Sequence, residues 1–261
     1  MKYLKILILM GFLSSLFGCS QKNKKAEKES DFTTLPITKP VENITATIDQ
    51  KERRIKSEKI CKSQGIPIYK NANSLFSEPE KNVVLRTKDQ VVDRALALLY
   101  LGLKSEGLEK IHLDKMDEDF EISSKLTPTE KEYASAIHPT EQQKTNANWR
   151  YESLHVLLWS LGYIDTLVYP NQMCNVADDV KIVYQLGPKI FREQSKLRSK
   201  KEILDQADLI LRFDWACVNA RVKQEEAPGG LNTSVVYERH YALNWLIKFM
   251  NLNWDNVTTD T

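Results

Sequence analysis

The sequence predicts a mostly α protein: a single globular multi-helix domain with few short strands or extended segments. Three observations lead there. Thr, Asn or Ser recurs just ahead of apolar runs, usually with Gln or Glu three residues later, which is the reciprocal side-chain cap of a helix start. The runs that follow repeat their apolar residues at three- and four-residue steps, the period of a helix with one buried face. Alternating or β-branched runs are scarce.

The caps give the element order. Thr87 with Gln90 opens a helix through VVDRALALLYLG, and Thr127, Pro128 and Glu130 open a short one that must stop before Pro139. Thr140 with Gln143 opens a long helix carrying NWRYESLHVLLWSLG, where Gly162 supplies a left-handed stop. Asn175 starts a helix ended by Gly187 and Pro188, and Ser199 with Glu202 caps KKEILDQADLILRFDWACVNARV. The last helix follows PGGLN and is expected from Val235 to Met250. The strand candidates, NVVLR at Asn82–Arg86 and TLVYP at Thr166–Pro170, are short and isolated. No repeat with a period of about 20 to 50 residues is visible.

The beginning of the chain has a different composition. Lys2 and Lys5 precede the apolar run ILILMGFL, and small residues lead on to LFGC at Leu16–Cys19. A charged start, a short apolar centre and a small-residue exit make an export signal. The run is shorter than the roughly 20 residues of a membrane span. LFGC resembles the lipobox of bacterial lipoproteins, which implies a signal peptide over 1–18 and a lipid (palmitate) on Cys19. Residues 19–51 are rich in Lys, Ser, Thr and Pro without periodicity, and are expected to form a disordered tether. The helical domain is expected over 52–261, outside the cytoplasm and anchored to a membrane of the cell envelope.

Charge and cysteine usage remove several classes of function. The formal charge of +2 is carried wholly by Lys2 and Lys5, since residues 1–18 contain no acid. The mature chain is neutral, so composition gives no ground for nucleic-acid binding. With Cys19 set aside, Cys61, Cys174 and Cys217 are an odd number without a C-x-x-C pair, expected as buried thiols that behave as small apolar residues.

Glu238, Arg239 and His240 stand side by side like parts of an acid/base site. On a helix, successive residues lie about 100° apart, so Glu238 and His240 diverge by roughly 160° and do not converge on one atom. Val236, Ala242, Leu243, Leu246, Ile247 and Met250 form one apolar arc with Arg239 near its middle. Arg239 should therefore point inward, and a buried guanidinium needs a carboxylate. The preceding helix has an apolar stripe of Leu204, Ala207, Leu211, Trp215, Val218 and Val222, with Asp208 and Asp214 on its shoulders. Asp208 is the expected partner of Arg239, with Asp214 second. Arg150 falls on the inward arc of Leu154, Leu157, Leu158 and Leu161 in the same way.

The segments WRYESLHVLLWSLGYIDTLVYP, LRSKKEILDQADLILRFDWA and VVYERHYALNWLIKFMNLNWDNVTTDT resemble a family of bacterial domains of unknown function, the one numbered forty-two seventy-two. The likeness runs from about Arg53 to Thr261 and is most specific where Glu238, Arg239, His240, ALNWL, WDNV and TDT arrive in the family's order. It implies the extent of the domain and supports the positions of Arg150, Asp208, Glu238, Arg239 and Trp254. It implies no reaction, because the family has no established activity, cofactor or catalytic residue. Members are often cytoplasmic and lack a lipid signal, so the leader here is a departure.

Chemical motifs are few. Glu109 with His112 and Glu152 with His155 fit E-x-x-H, the spacing of a helix in a di-iron site, but the two further glutamates such a site needs are not apparent. The first pair lies in the charged stretch SEGLEKIHLDKMDEDFE, read as a solvated surface. Neither G-x-S-x-G nor a phosphate-cradling loop is present. No metal and no cofactor is expected. His240 is expected to be a structural histidine bonded to a neighbour, and the five tryptophans to be core or rim residues. The leading functional expectation is a membrane-anchored lipoprotein that binds a protein or envelope partner. The alternative is an enzyme or small-ligand binder using Arg150, Asp208, Asp214, Glu238, Arg239 and His240 in a cleft between helices, and an open cleft would favour it.

Overall fold

The computed structural model describes residues 43–261. Among them it contains nine α-helices and no strand. The helices are α1 (Ile48–Ser63), α2 (Lys88–Ser105), α3 (Lys110–Phe120), α4 (Ile122–Lys125), α5 (Pro128–Ser135), α6 (Glu141–Ser160), α7 (Val176–Gln194), α8 (Lys200–Val222) and α9 (Thr233–Leu246). The reciprocal caps expected at Thr87, Thr127, Thr140 and Ser199 are all formed. Leu161 closes α6, and Gly162 follows at φ 86°, a conformation that glycine reaches without a Cβ penalty.

Packing follows a chain of neighbours: α2 lies on α6, α6 on α9, α9 on α8 and α8 on α1. α7 packs on α2 and α6, and α3, α4 and α5 pack on α2. The core begins with α2, whose Val91, Val92 and Ala95 through Leu103 are buried on every side. Truncating one of its leucines to alanine would cost about 2–5 kcal/mol in transfer and cavity terms. Gly102 lets the Tyr151 ring of α6 lie against α2, because a Cβ there would stand 2.4 Å from Cζ of Tyr151.

Several expectations are corrected by the fold. α1 starts at Ile48, ahead of Glu52, through a cap between Thr47 and Gln50 in the stretch read as tether. Its buried face is Gln50, Arg53, Arg54, Ser57 and Cys61, so no apolar period announces it. Arg54 instead organises the following loop, donating to the carbonyls of Tyr69, Asn71, Ala72 and Ser74. The charged stretch after Glu109 is largely exposed, in line with a solvated surface, and it forms helix α3 with Leu113, Met116 and Phe120 turned inward. Gly187 breaks α7 at φ 67° and ψ 168°, but the helix resumes at once with Pro188 as its first residue.

NVVLR and TLVYP form no strand: Asn82 ends a short 3₁₀ turn, and a backbone group of each segment bonds to α9. Arg86 N–H donates to the Leu246 carbonyl, and the Val168 carbonyl accepts from Arg239. α9 ends at Leu246, short of Met250, since Lys248 and Met250 adopt φ of 53° and 52°. Met250 is consequently 70% exposed instead of completing an apolar arc. The buried face of α8 is also displaced from the expected stripe. Val222 is exposed while Leu211, Trp215 and Val218 are half-buried, and Asp208, Arg212 and Asp214 face the interior.

Candidate functional site

α9 is wedged between α6 and α8, so its residues are buried nearly all round, with Tyr237 the exposed exception between Val235 and Leu246. Every polar side chain buried on it must therefore find a partner on a neighbour. Glu238 turns to α6, where its Oε2 accepts from Ser153 Oγ at 2.7 Å and from Arg150 Nη1 at 3.1 Å. Arg150 is half-buried, its guanidinium 4.5 Å from the ring centre of Tyr241 and 5.6 Å from that of Trp254. His240 turns to α8, with Nδ1 2.9 Å from Asp214 Oδ2. Glu238 and His240 thus diverge to different helices, as the helical wheel requires.

Arg239 is buried as expected, but its partner is neither aspartate. Its Nε donates to Glu152 Oε2 at 3.0 Å, between side chains that are 3% and 0% exposed, and its Nη1 donates to the Val168 carbonyl at 2.6 Å. Asp208 is already occupied: Arg212, one turn along the same helix, donates to it at 3.0 Å, and Ser77 Oγ adds a second 3.0 Å bond. Asp214 is taken by His240. Sequence reasoning missed Glu152 as the counter-ion, although E-x-x-H had singled it out for a different chemistry.

Beside Arg239 lies a cleft of about 220 Å³ between α1, α8, α9 and the extended Leu167–Pro170 segment. Its wall is largely apolar, including Ile60, Tyr169, Leu209, Phe213 and Leu243, and Arg239 is its charged member. Trp215 and Trp245 do not close it: Trp215 packs on Tyr69 and Trp245 on Trp254. Nη2 of Arg239 is buried without a hydrogen-bond partner, so one donor of the guanidinium is unused. Arg150, Asp208, Asp214, Glu238 and His240 do not line this cleft. Of the expected polar cluster, Arg239 alone reaches it.

A second grouping lies on the other side of Glu152. His155 Nδ1 stands 2.9 Å from Asp179 Oδ2 and 3.1 Å from Oδ1, and the Cys174 backbone N–H donates to Glu152 Oε1. One ligand atom from each of His155, Cys174 and Asp179 falls within 4.8 Å of the others. Among the described residues, these three could hold a metal. Glu152 and His155 do not share a centre as a di-iron helix would, and Glu109 lies exposed on the surface. Burial, then the carboxylates of Glu152 and Asp179, push the Cys174 thiol far up, and burial also raises Asp179 against the lowering effect of His155. Cys174 is therefore no thiolate nucleophile at neutral pH. Cys61 and Cys217 are buried free thiols, raised by burial to about 11 and about 12.

Fold and site together define a class: an all-α domain whose innermost helix is held by dispersed buried charge pairs and borders an apolar cleft. The chain belongs to the family described as a domain of unknown function (DUF4272), whose model matches residues 53–257. No curated protein and no solved structure matches it. No helix among the described residues is long and apolar enough to cross a membrane. The signal peptide expected over 1–18 and the lipid on Cys19 fall outside the described residues.

Proposed function

We propose that the domain binds a small, largely apolar molecule through a single carbonyl-type acceptor in the cleft beside Arg239. The observation that carries this reading is the unused, buried Nη2 donor of Arg239, a residue whose side chain is 3% exposed and which lines an apolar cavity. A buried donor left without a partner costs about 1–3 kcal/mol, which a bound acceptor would recover. The charge of Arg239 is already matched by Glu152, so a neutral amide or ester carbonyl suits the site better than a carboxylate, which would bring an unpaired buried charge. At about 220 Å³ the cleft is smaller than the roughly 300 Å³ at which drug-sized sites begin, so the ligand is small.

A thermal-shift screen tests this with small N-acyl amides, esters, matched carboxylates and acceptor-free hydrocarbons. Amides or esters should raise the melting temperature of the wild-type chain and not that of Leu209→Trp, which fills the cleft while keeping both Arg239 and Glu152 in the sequence. Equal shifts in both proteins, or none in either, would refute the reading.

The sequence before the domain supports a second element of the proposal, attachment to a bacterial envelope membrane by lipid on Cys19. Metabolic labelling with an alkyne palmitate analogue should mark the wild type and leave Cys19→Ala unlabelled and in the soluble fraction. An envelope protein as partner, the reading suggested by the tether, would gain if the screen fails and a pull-down with the tethered domain, against the untethered one, recovers one specific companion.

A further inference from the structure

We propose that His155, Cys174 and Asp179 form a zinc-type metal site at the junction of α6 and α7, with one coordination position left for water or a ligand. The inference is independent of the Arg239 cleft. Three residues of different ligand chemistry are brought together from a helix middle, a connecting segment and the first turn of the next helix. One ligating atom of each lies within 4.8 Å of the others. A tetrahedral ion with sulfur at about 2.3 Å and nitrogen or oxygen at about 2.0–2.2 Å sets its ligands roughly 3.4 Å apart, so the widest separation would close by up to about 1.4 Å while the 2.9 Å His155–Asp179 pair opens by about 0.5 Å.

The choice of metal follows from the donors. A thiolate, an imidazole and a carboxylate together suit zinc, whereas magnesium and calcium prefer sites made wholly of oxygen. The group is enclosed, with His155 9% and Asp179 2% exposed and Cys174 half-buried. His155 Nε2 is buried with no hydrogen-bond partner, so the pair with Asp179 leaves the imidazole incompletely satisfied. Charge also balances: a Cys174 thiolate and the Asp179 carboxylate together match a divalent ion, and the thiol proton is released on binding.

Outer groups of the kind that orient metal ligands are present. Glu152 fixes the Cys174 backbone through one carboxylate oxygen and Arg239 through the other. Cys174 Sγ lies 3.7 Å from the Tyr151 carbonyl. With Glu152 held on both oxygens, the protein supplies three ligands, the number found where zinc keeps a fourth, exchangeable position.

The test uses the full chain in detergent, reduced and stripped of metal, titrated with Co²⁺. One equivalent should produce a thiolate-to-cobalt charge-transfer band, and Zn²⁺ should displace it. Cys174→Ser should abolish the band, and His155→Ala should weaken Co²⁺ binding by more than about 100-fold, beyond the loss typical of an outer-sphere residue. Cys61→Ser should keep the band, and circular dichroism checks that each variant is folded. Absence of a band at one equivalent, or a band that survives Cys174→Ser, would overturn the assignment. Amide binding in the cleft, read against Leu209→Trp, is scored separately and does not depend on the cobalt result.

Discussion

Replacing Arg239 by alanine removes one half of an ion pair whose other half, Glu152, is fully enclosed. The substitution leaves Glu152 with the Cys174 amide as its remaining donor among those described, and takes a 2.6 Å bond from the Val168 carbonyl. Breaking a buried pair on one side costs about 3–5 kcal/mol, a large part of the roughly 5–15 kcal/mol that holds a domain together. For a domain of this size each kcal/mol lowers the melting temperature by about 2–4 °C, so a fall of about 6–20 °C is expected. Urea denaturation of wild type, Arg239→Ala, Glu152→Gln and the double variant measures both the loss and the coupling. Because the two residues touch, the coupling should be about 1–3 kcal/mol. Asp208→Asn combined with Arg239→Ala should be close to additive, since Asp208 bonds to Arg212 and Ser77. A loss under about 1 kcal/mol for Arg239→Ala, or additivity with Glu152→Gln, would refute the pairing.

Other consequences follow from the same packing. Gly102→Ala places a Cβ against the ring of Tyr151 and should destabilise the domain by about 1–3 kcal/mol in calorimetry, with relief when Tyr151→Leu is added. Burial raises the Asp49 carboxyl, but bonds from Thr47, the Glu80 backbone N–H and Arg53 outweigh it and bring it from 3.8 down to about 2. Its contribution should be complete above pH about 4 and disappear as pH falls to about 2, and Asp49→Asn should flatten that part of the stability profile. Native protein at pH 8 should resist alkylation at Cys61 and Cys217, whose thiols are enclosed and protonated, and both should react in urea under mass spectrometry.

What was legible in the sequence is what local chemistry decides. Thr87 with Gln90, Thr140 with Gln143 and Ser199 with Glu202 announce helix starts because capping needs only residues three apart. α1 escapes notice because its inward face is Arg53 and Arg54 instead of an apolar stripe. The inward direction of Arg239 can be read from one helical wheel, but its counter-ion cannot. Choosing among Asp208, Asp214 and Glu152 requires knowing that α9 lies between α6 and α8, and that Arg212 has claimed Asp208 first. The cleft draws on four separated segments, and the His155, Cys174 and Asp179 group on the packing of α6 against α7. Neither leaves a periodic trace in the chain.

The central claim is that Arg239 is at once the buried clasp of α9 and the polar contact of the cleft. Side-chain NMR of ¹⁵N-arginine-labelled protein tests it directly, titrated with the best amide or ester from the screen. Arg239 Nε–H should exchange slowly with water and shift on ligand addition, while Arg212, equally buried but away from the cleft, should stay still. Rapid exchange at Arg239, or a ligand that moves Arg212 and leaves Arg239 unchanged, would contradict the account.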